Sequence, residues 1–575
     1  MKIKHLFGLA VIAAMTASCS SNEDLGNPGS GTNEAGVGYA TFTINLPSVG
    51  GTRAADAGGA EMDEGTAKEY AVKSATALIF QKYGSDEGSY KFVESVTLPI
   101  DGWTDDPEDG ITTTSKKLTA KLTNVDTKNT YAVLVLLNNK TASGVKITLP
   151  SVGQSYNEWN NNAQLPTVTD LAAENDFYMA NAPLKVDASP TTLVTIDKDN
   201  IYPTKEKAEA GTSAATVYVE RGVAKMSVTA PGTKKVTDKA TNTETNSTVE
   251  FSNWALDITN KKTYAVHNID GLSTDFSAIW TTARFTGTNN RIYWGKDPNY
   301  SNKILKETDK DAEREAEFNF IKATSGINKT FTESEYCLEN TFNLENMYQG
   351  QTTRVIFKAT YTPKDNAGNS LADAGGTFYT IGNMTTILKE ADLKTAVDAA
   401  ATSVLPGCVV EYANLEKEGS HVITLEDIKE NASSTTHLDG ATKYVIGTGK
   451  KTGDEIVAAI NAKLGLKAGR SEEMVGINTY LNGVTYYIAR VRHFDDDKTP
   501  WSSGEAYNAE NGKYLGRYGM LRNNSYVLEV GKVFGPGYPG VPPVDPTLPD
   551  DENEKYLSVS VKILSWAKRS HTVDL

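Results

Sequence analysis

The sequence predicts an all-β protein with more than one domain, and three observations lead to that fold class. The 575 residues exceed the usual size of one compact domain, so about two to four units are expected. The 27 tyrosines, together with frequent threonine, valine and glycine, favour strands and turns. Apolar residues alternate with polar ones in several short segments bounded by turn residues, which is typical of half-buried strands.

Charge and cysteine usage exclude several classes of function. The formal net charge of −15 argues against nucleic acid as a partner, because phosphate binding needs a basic face. The cysteines, Cys19, Cys337 and Cys408, have neither the number of a disulfide framework nor metal-binding spacing. Cys337 and Cys408 either pair after export or stay as buried free thiols. We predict no catalytic residues, no metal and no cofactor, because no motif for them occurs, and hence no enzyme.

The N-terminus carries an export signal. Lys2 and Lys4 precede a short apolar run, and small residues follow it before Cys19. The run is too short for a permanent membrane helix. Residues 1–19 resemble a bacterial lipoprotein signal peptide with its lipobox, which implies lipidation (palmitate) of Cys19. The alternative is an ordinary secretory signal with an incidental cysteine.

The first strand predicted after this signal is Tyr39–Leu46. One face carries four apolar side chains: Ala40, Phe42, Ile44 and Leu46. A loop of glycine and other small residues follows, and its Arg53–Ala54 bond suits an arginine-specific protease. The alternative is a plain loop with one arginine. Residues 20–53 are therefore predicted to be a tether plus a removable strand.

The C-terminus ends in a second apolar strand beyond a stiff segment. Prolines recur in residues 535–549 and predict an extended spacer that stands away from any sheet. Tyr556–Trp566 then carries another four apolar residues on one face: Leu557, Val559, Val561 and Ile563. A strand held away from its own body fits addition to another subunit, with the N-terminal strand as placeholder. The alternative is that it folds back onto its own domain.

Several segments along most of the chain resemble the fimbrillins, the subunits of type V pili in Bacteroides- and Porphyromonas-like bacteria. They are Tyr131–Asn138, Asp176–Asn181, Val217–Val228, Tyr336–Thr341, Thr353–Tyr361, Leu521–Val530 and Leu557–Leu575. Within that family the chain is most like the major shaft subunit of the minor (short) fimbria.

The resemblance implies two transthyretin-like β-sandwich domains with small helical insertions. It also implies an outer-membrane lipoprotein precursor that becomes a fimbrium at the cell surface, serving cell adhesion and biofilm formation. An arginine-specific or trypsin-like protease would remove residues through Arg53, and donor-strand exchange would join copies head to tail. The partners implied are copies of the chain, accessory anchor and tip subunits, and host or bacterial surface ligands.

The expected organisation combines these segments. It comprises residues 1–19 (signal peptide), 20–53 (tether and removable strand), 54–230 (N-terminal sandwich), 231–534 (C-terminal sandwich), 535–554 (proline-rich spacer) and 555–575 (donor strand). Within the second sandwich, apolar residues at helical spacing predict helices over Glu390–Ala401 and Asp454–Leu464.

Alternatives to a shaft subunit are a tip or anchor subunit and a surface glycan-binding lipoprotein. Four tryptophans could form a sugar-stacking surface, although core or edge packing is the favoured interpretation: Trp254, Trp280, Trp294 and Trp501. Asp495, Asp496 and Asp497 could hold calcium but lack the ligand spacing of a calcium loop, so we interpret them as an acidic turn.

Overall fold

The computed structural model describes residues 37–566 with gaps. The residues left out within that range are 48–61, 64, 102, 104–113, 127, 187–188, 278–291, 293, 301–304, 342–343, 431–450, 471–473, 495–498, 503–504, 506, 508–511 and 554–556. Cys19, Arg53, Ala54 and the aspartates at 495–497 therefore lie outside the described residues, and the predictions made for them stay predictions.

Strands dominate the described residues. The first half contains β1 Gly38–Asn45, β2 Met62–Asp63, β3 Ala75–Gln81, β4 Lys91–Leu98, β5 Ser115–Leu122, β6 Tyr131–Leu137, β7 Ala172–Ala173, β8 Asp176–Phe177, β9 Met179–Asn181, β10 Leu184–Val186, β11 Ser189–Thr191, β12 Val194–Ile196, β13 Ile201–Tyr202 and β14 Ala215–Arg221. The second half contains β15 Ala224–Val228, β16 Thr233–Thr237, β17 Glu244–Asp257, β18 Thr259–Asn260, β19 Phe318–Asn319, β20 Ser334–Cys337, β21 Arg354–Thr362, β22 Phe378–Ile381, β23 Cys408–Val410, β24 Gly419–His421, β25 Ile428–Glu430, β26 Ile477–Tyr480, β27 Val484–Arg490, β28 Asn524–Val533 and β29 Leu557–Trp566.

Helices are few and mostly short, and single-turn 3₁₀ helices join several elements. The α-helices are α1 Tyr156–Asn160, α2 Val168–Leu171, α3 Lys205–Ala210, α4 Leu272–Asp275, α5 Asp311–Glu317, α6 Glu390–Val404 and α7 Gly453–Leu464. The predicted all-β sandwich fold class, with small helical insertions, is confirmed. Among the described residues, no helix combines the length and apolarity needed to cross a membrane.

The first sheet has the strand order β13-β1-β14-β9-β6-β3-β4, with β5 added to β1 and β12 to β6. Every residue of β6 is buried, which explains its unbroken apolar sequence: a strand covered on both faces does not alternate. The apolar side chains of this sheet form one continuous core that includes the inner face of β1.

The second sheet has the order β2-β29-β28-β16-β17-β21-β27, with β15 lying between β28 and β20. The chain leaves the first sheet at Arg221 and joins the second at Ala224. The crossing therefore precedes the division we expected at 230, and β15 is part of the second sheet. The polar run near residue 240 instead forms the turn between β16 and β17, where the Asp238 carboxylate accepts the backbone N–H groups of Ala240 and Thr241.

The two longer helices lie in an insertion between β21 and β27 that has its own core. α6 begins at Glu390 as predicted. α7 is capped by the hydroxyl of Thr452, which accepts from the Glu455 N–H, and it ends at Gly465, whose φ of 69° is left-handed. The insertion also contains the small sheet β22-β26-β24. Both helix predictions are thus confirmed.

Candidate functional site

The first strand, β1, lies inside the first sheet and not at its edge. It pairs antiparallel with β5 along its whole length. Its other edge pairs with β13 at the start and, in parallel, with β14 towards the end. The side chains of its inner face are at most 1 % exposed: Ala40, Phe42, Ile44 and Leu46. Burying each of the larger three contributes about 1.5–3 kcal/mol, so β1 fills a groove that would open if it left.

The outer face of β1 is also covered. Thr41 is 1 % exposed, and its hydroxyl donates to the carbonyl of Ala208 in α3 at 2.8 Å. The same hydroxyl lies 2.8 Å from the hydroxyl of Thr119 in β5. Thr43 forms a 2.7 Å hydrogen bond with Ser213. The groove is therefore apolar inside and lined with hydroxyl and carbonyl groups outside.

Within the described residues, β1 is connected to the rest of the folded domain through its C-terminal end. The chain runs from Pro47 through residues 48–61 to Met62 in β2, and the predicted cut after Arg53 falls within that stretch. A cut there would leave β1 held by non-covalent contacts alone.

The terminal strand, β29, pairs antiparallel with β28 of its own sheet, from Asn524 opposite Ser565 to Val533 opposite Leu557. In the single chain it therefore folds back onto its own domain, which is the alternative the sequence left open. Val559 and Val561 are half-buried against the second core. The side chains of Leu557 and Ile563 lie outside the described residues. On its other edge β29 pairs with the two residues of β2.

The proline-rich stretch 535–549 lies against the second domain, which corrects our expectation of a spacer that holds the last strand away from it. The backbones of Tyr538 and Tyr486 exchange hydrogen bonds of 2.7 and 2.8 Å. The hydroxyl of Tyr487 donates to the carbonyl of Gly535 at 2.8 Å, and Arg354 Nη2 donates to the carbonyl of Pro542 at the same distance. Prolines cannot donate to a ladder, but their carbonyls still need partners, and side chains of β21 and β27 supply them.

Two buried aspartates follow this stretch, and we call Asp550 and Asp551 the acidic anchor. Asp550 Oδ1 accepts from the hydroxyl of Thr352 at 2.7 Å, and Arg490 Nε donates to the Asp550 carbonyl at 2.8 Å. Asp551 Oδ1 accepts from Arg517 Nε at 2.7 Å. The anchor fixes the chain shortly before β29 begins.

The acidic anchor is expected to be sensitive to pH. Burial raises the pKa of Asp550 from 3.8 to about 6, against the attraction of Arg490, and its Oδ2 is buried without a hydrogen-bond partner. A raised carboxyl pKa contributes stability that is fully present below about pH 4 and is lost as pH rises through about 6. Relative to Asp550→Asn, the wild-type free energy of unfolding should fall by about 1.4 kcal/mol per pH unit within that window. Urea unfolding of both proteins across it tests this, and parallel pH profiles would contradict it.

A charged cluster near the crossing between the sheets escaped the sequence analysis. Lys225 Nζ lies 2.9 Å from Asp63 Oδ2 and 3.1 Å from Glu69 Oε1. Arg221 is fully buried, and its Nε donates to the Glu69 carbonyl at 3.1 Å. These contacts fasten the chain after the predicted cut to the end of β14 and to β15. The available signal was a pair of basic residues, Arg221 and Lys225, inside the mostly apolar segment Val217–Val228.

The sugar-stacking surface does not form from the tryptophans that the structure describes fully. Trp254 is completely buried and Trp294 is 3 % exposed, so both pack in the interior. Trp501 is half-buried against the third core, and Trp280 lies outside the described residues. The packing interpretation is therefore correct for Trp254 and Trp294.

The cysteines Cys337 and Cys408 are both free thiols, which rules out the disulfide between them. Cys337 is buried in the second core, and Cys408 is half-buried in the helical insertion. Within the described part of the chain, no group of three or more His, Cys, Asp or Glu side chains is placed to hold a metal ion.

The C-terminal end of the chain matches a known family. Residues 478–572 match the family model described as major fimbrial subunit protein type IV, fimbrillin, C-terminal. The match contains β27, β28, the proline-rich stretch, the acidic anchor and β29. The predicted resemblance to fimbrillins is thereby confirmed. No curated protein matches the chain.

Solved structures show more distant similarity. A candidate cell adhesion protein from Parabacteroides distasonis ATCC 8503 has a TM-score of 0.38 and 10 % identity, over 93 % of this chain and 99 % of that one. One from Bacteroides eggerthii DSM 20697 has a TM-score of 0.33 and 12 % identity, over 94 % and 98 %. A fimbrial assembly protein from Parabacteroides distasonis ATCC 8503 has a TM-score of 0.25 and 13 % identity, over 61 % and 93 %. These scores are too low to support a functional conclusion.

Proposed function

We propose that the chain, whose residues 478–572 match the fimbrillin C-terminal family model, is a shaft subunit of a cell-surface fimbrium that polymerises by donor-strand exchange. It is exported as an outer-membrane lipoprotein through lipidation at Cys19. A trypsin-like or arginine-specific protease then cuts after Arg53, and β1 leaves its groove. The terminal strand of a second copy enters the vacated groove. The resulting fibre serves adhesion to host or bacterial surfaces and biofilm formation, with accessory tip and anchor subunits at its ends.

One observation carries this proposal: the inner face of β1 is completely buried, yet β1 lies on the far side of the predicted cut from the rest of its domain. A strand with four core side chains is an unusual part of a protein to place before a protease site, unless something replaces it. The terminal strand β29 has the same spacing of apolar residues as β1. The region that matches the fimbrillin family model includes β29.

Burial favours the exchange once β1 has gone. On its own domain the described inner side chains of β29, Val559 and Val561, are half-buried. In the groove, the inner positions of β1 such as Phe42 and Ile44 are completely buried. Apolar surface gains about 25 cal/mol per Å² on leaving water, so the groove is the more favourable site. Before the cut, the covalent link gives β1 a high effective concentration and keeps the groove closed.

The geometry of the join leads to a filament. The groove belongs to the first sheet and the donor strand to the second. Each copy therefore offers one groove and one donor strand. A head-to-tail contact of this kind propagates without limit unless it closes into a ring. A tip subunit would not need to donate a strand, and an anchor would not need the cut, so a chain with both features fits the shaft.

Limited proteolysis tests the proposal. The chain from residue 20 onward, cut briefly with trypsin, should form a ladder of multimers on an unboiled denaturing gel, and boiling should collapse the ladder. Arg53→Ala is the matched control, because it removes the predicted cut and leaves β1 intact. A cut protein that stays monomeric, or an equal ladder from Arg53→Ala, would refute maturation-gated exchange.

A further inference from the structure

We infer that the terminal strand occupies the groove of a second copy in one register and one direction, fixed by the outer face of the groove. The inference rests on the proposed function and adds to it the placement of each donor residue. In that register the donor residues stand where β1 residues stand now: Leu557 at Ala40, Ser558 at Thr41, Val559 at Phe42, Ser560 at Thr43, Val561 at Ile44, Lys562 at Asn45 and Ile563 at Leu46.

The outer face sets the register because one of its positions, that of Thr41, is closed to solvent. The hydroxyl of Thr41 donates to the Ala208 carbonyl and meets the hydroxyl of Thr119, and the side chain is 1 % exposed. Loss of the hydroxyl would leave a buried carbonyl without this partner, which costs about 1–3 kcal/mol. The residue at this position must therefore be small and carry a hydroxyl, and Ser558 meets both requirements.

The next outer position adds a second condition. Thr43 is half-buried, and its hydroxyl bonds to Ser213 at 2.7 Å. In the inferred register Ser560 stands there and offers the same hydroxyl. Lys562 then falls at the end of the strand, where Asn45 is half-buried and its side-chain amide reaches the Val217 carbonyl at 3.4 Å.

The neighbouring registers are unfavourable because they place large or polar donor side chains at buried or half-buried sites of β1. A shift of two residues in one direction puts Lys562 at Thr43 and Ser565 at the buried Leu46 site. The opposite shift puts Tyr556 at the buried Thr41 site and Lys555 at the buried Ala40 site. A shift of one residue turns every apolar side chain to the outer face.

The reversed direction also fails, because it places Lys562 at Thr41. A buried, unpaired ammonium there would cost several kcal/mol. The donor strand therefore runs as β1 does, antiparallel to β5 and parallel to β14.

Disulfide trapping tests the register. Thr41 stands opposite Thr119, so Ser558 of one copy should stand opposite Thr119 of the next. The chain from residue 20 onward, carrying Cys408→Ser, Ser558→Cys and Thr119→Cys, should after cutting and mild oxidation give a ladder that survives boiling without reductant. Ser560→Cys with Thr119→Cys is the matched control, and its ladder should collapse on boiling. Each single cysteine variant should behave like that control.

The outcomes separate the register from the proposed function. A boiling-resistant ladder from Ser560→Cys with Thr119→Cys, and not from the Ser558 pair, would overturn the register while strand exchange stands. If no variant, including the parent, gives any ladder before boiling, both ideas fail.

A second variant avoids cysteine chemistry. In the inferred register Val559 occupies the site of Phe42, which holds a larger side chain than valine. Val559→Phe, made without any introduced cysteine, should therefore raise the temperature at which the ladder of multimers collapses. If Val559 instead stood at the small Ala40 site, phenylalanine would overpack the groove and lower that temperature.

Discussion

Val561→Asp is expected to abolish the ladder of multimers while leaving the monomer folded. In the groove this side chain takes the site of Ile44, which is completely buried. An unpaired carboxylate in such a site costs several kcal/mol, and about 3 kcal/mol already lowers an association constant more than 100-fold. On its own domain Val561 is half-buried in the terminal strand, so the carboxylate can reach water there. Unboiled gels after the trypsin cut measure assembly, and urea unfolding measures the fold.

Val152→Asp is the matched control, since that valine is 78 % exposed and belongs to neither strand. It introduces the same charge at the same residue type and should assemble normally. A normal ladder from Val561→Asp would remove this strand from the proposed mechanism, whereas an unfolded monomer would show that its contact with β28 matters more than we infer.

Local sequence predicted several of the longer elements of the fold because burial on one or both faces leaves a readable pattern. β1 at Gly38–Asn45 and β29 at Leu557–Trp566 match the predicted strands to within one residue at each end, and α6 begins at the expected Glu390. The inner face of β1 is buried at all four predicted positions. These features depend on periodicity, which a single strand or helix carries within itself.

Features that depend on distant partners could not be predicted in the same way. The prolines predicted a stiff spacer. Whether the carbonyl groups of that stretch find hydrogen-bond donors depends on Tyr487 and Arg354, which lie in other strands. Lys225 contacts Asp63, although most strands of the first sheet lie between these two residues in the sequence. The crossing between the sheets depends on which strands pair, because a polar turn inside a domain resembles a linker between domains.

The docked proline-rich stretch changes how the exchange has to work. Its hydrogen bonds and the acidic anchor can remain in place while residues beyond Asp551 change partner. In the proposed fibre the subunit would then keep most of its C-terminal contacts, and the exchanged element would be limited to β29. Because less of the chain has to be released, we expect a lower barrier to the proposed exchange than if the proline-rich stretch also had to leave its domain.

Arg354→Ala is expected to destabilise the second domain by about 3–5 kcal/mol, because it breaks a buried ion pair from one side. Arg354 and Asp257 are each 1 % exposed, and Nε lies 2.8 Å from Oδ2. The guanidinium also donates to the carbonyls of Pro542 and Pro543 at 2.8 and 3.1 Å. Alanine leaves the Asp257 carboxylate without its cation and both carbonyls without these donors. The free energy of unfolding in urea measures the loss.

Two comparisons separate the buried charge from the lost contacts. Lys235→Ala removes a pair with Glu244 whose side chains are 59 % and 66 % exposed, and it should give no measurable change. Arg354→Met combined with Asp257→Leu removes both charges and should recover much of the stability, since an apolar pair is often as stable as a buried ion pair. Whatever deficit remains in the double variant measures the docking of the proline-rich stretch. If Arg354→Ala is as stable as the wild type, the arginine does not hold the proline-rich stretch in place. In the proposed exchange, part of that stretch would then be released together with β29.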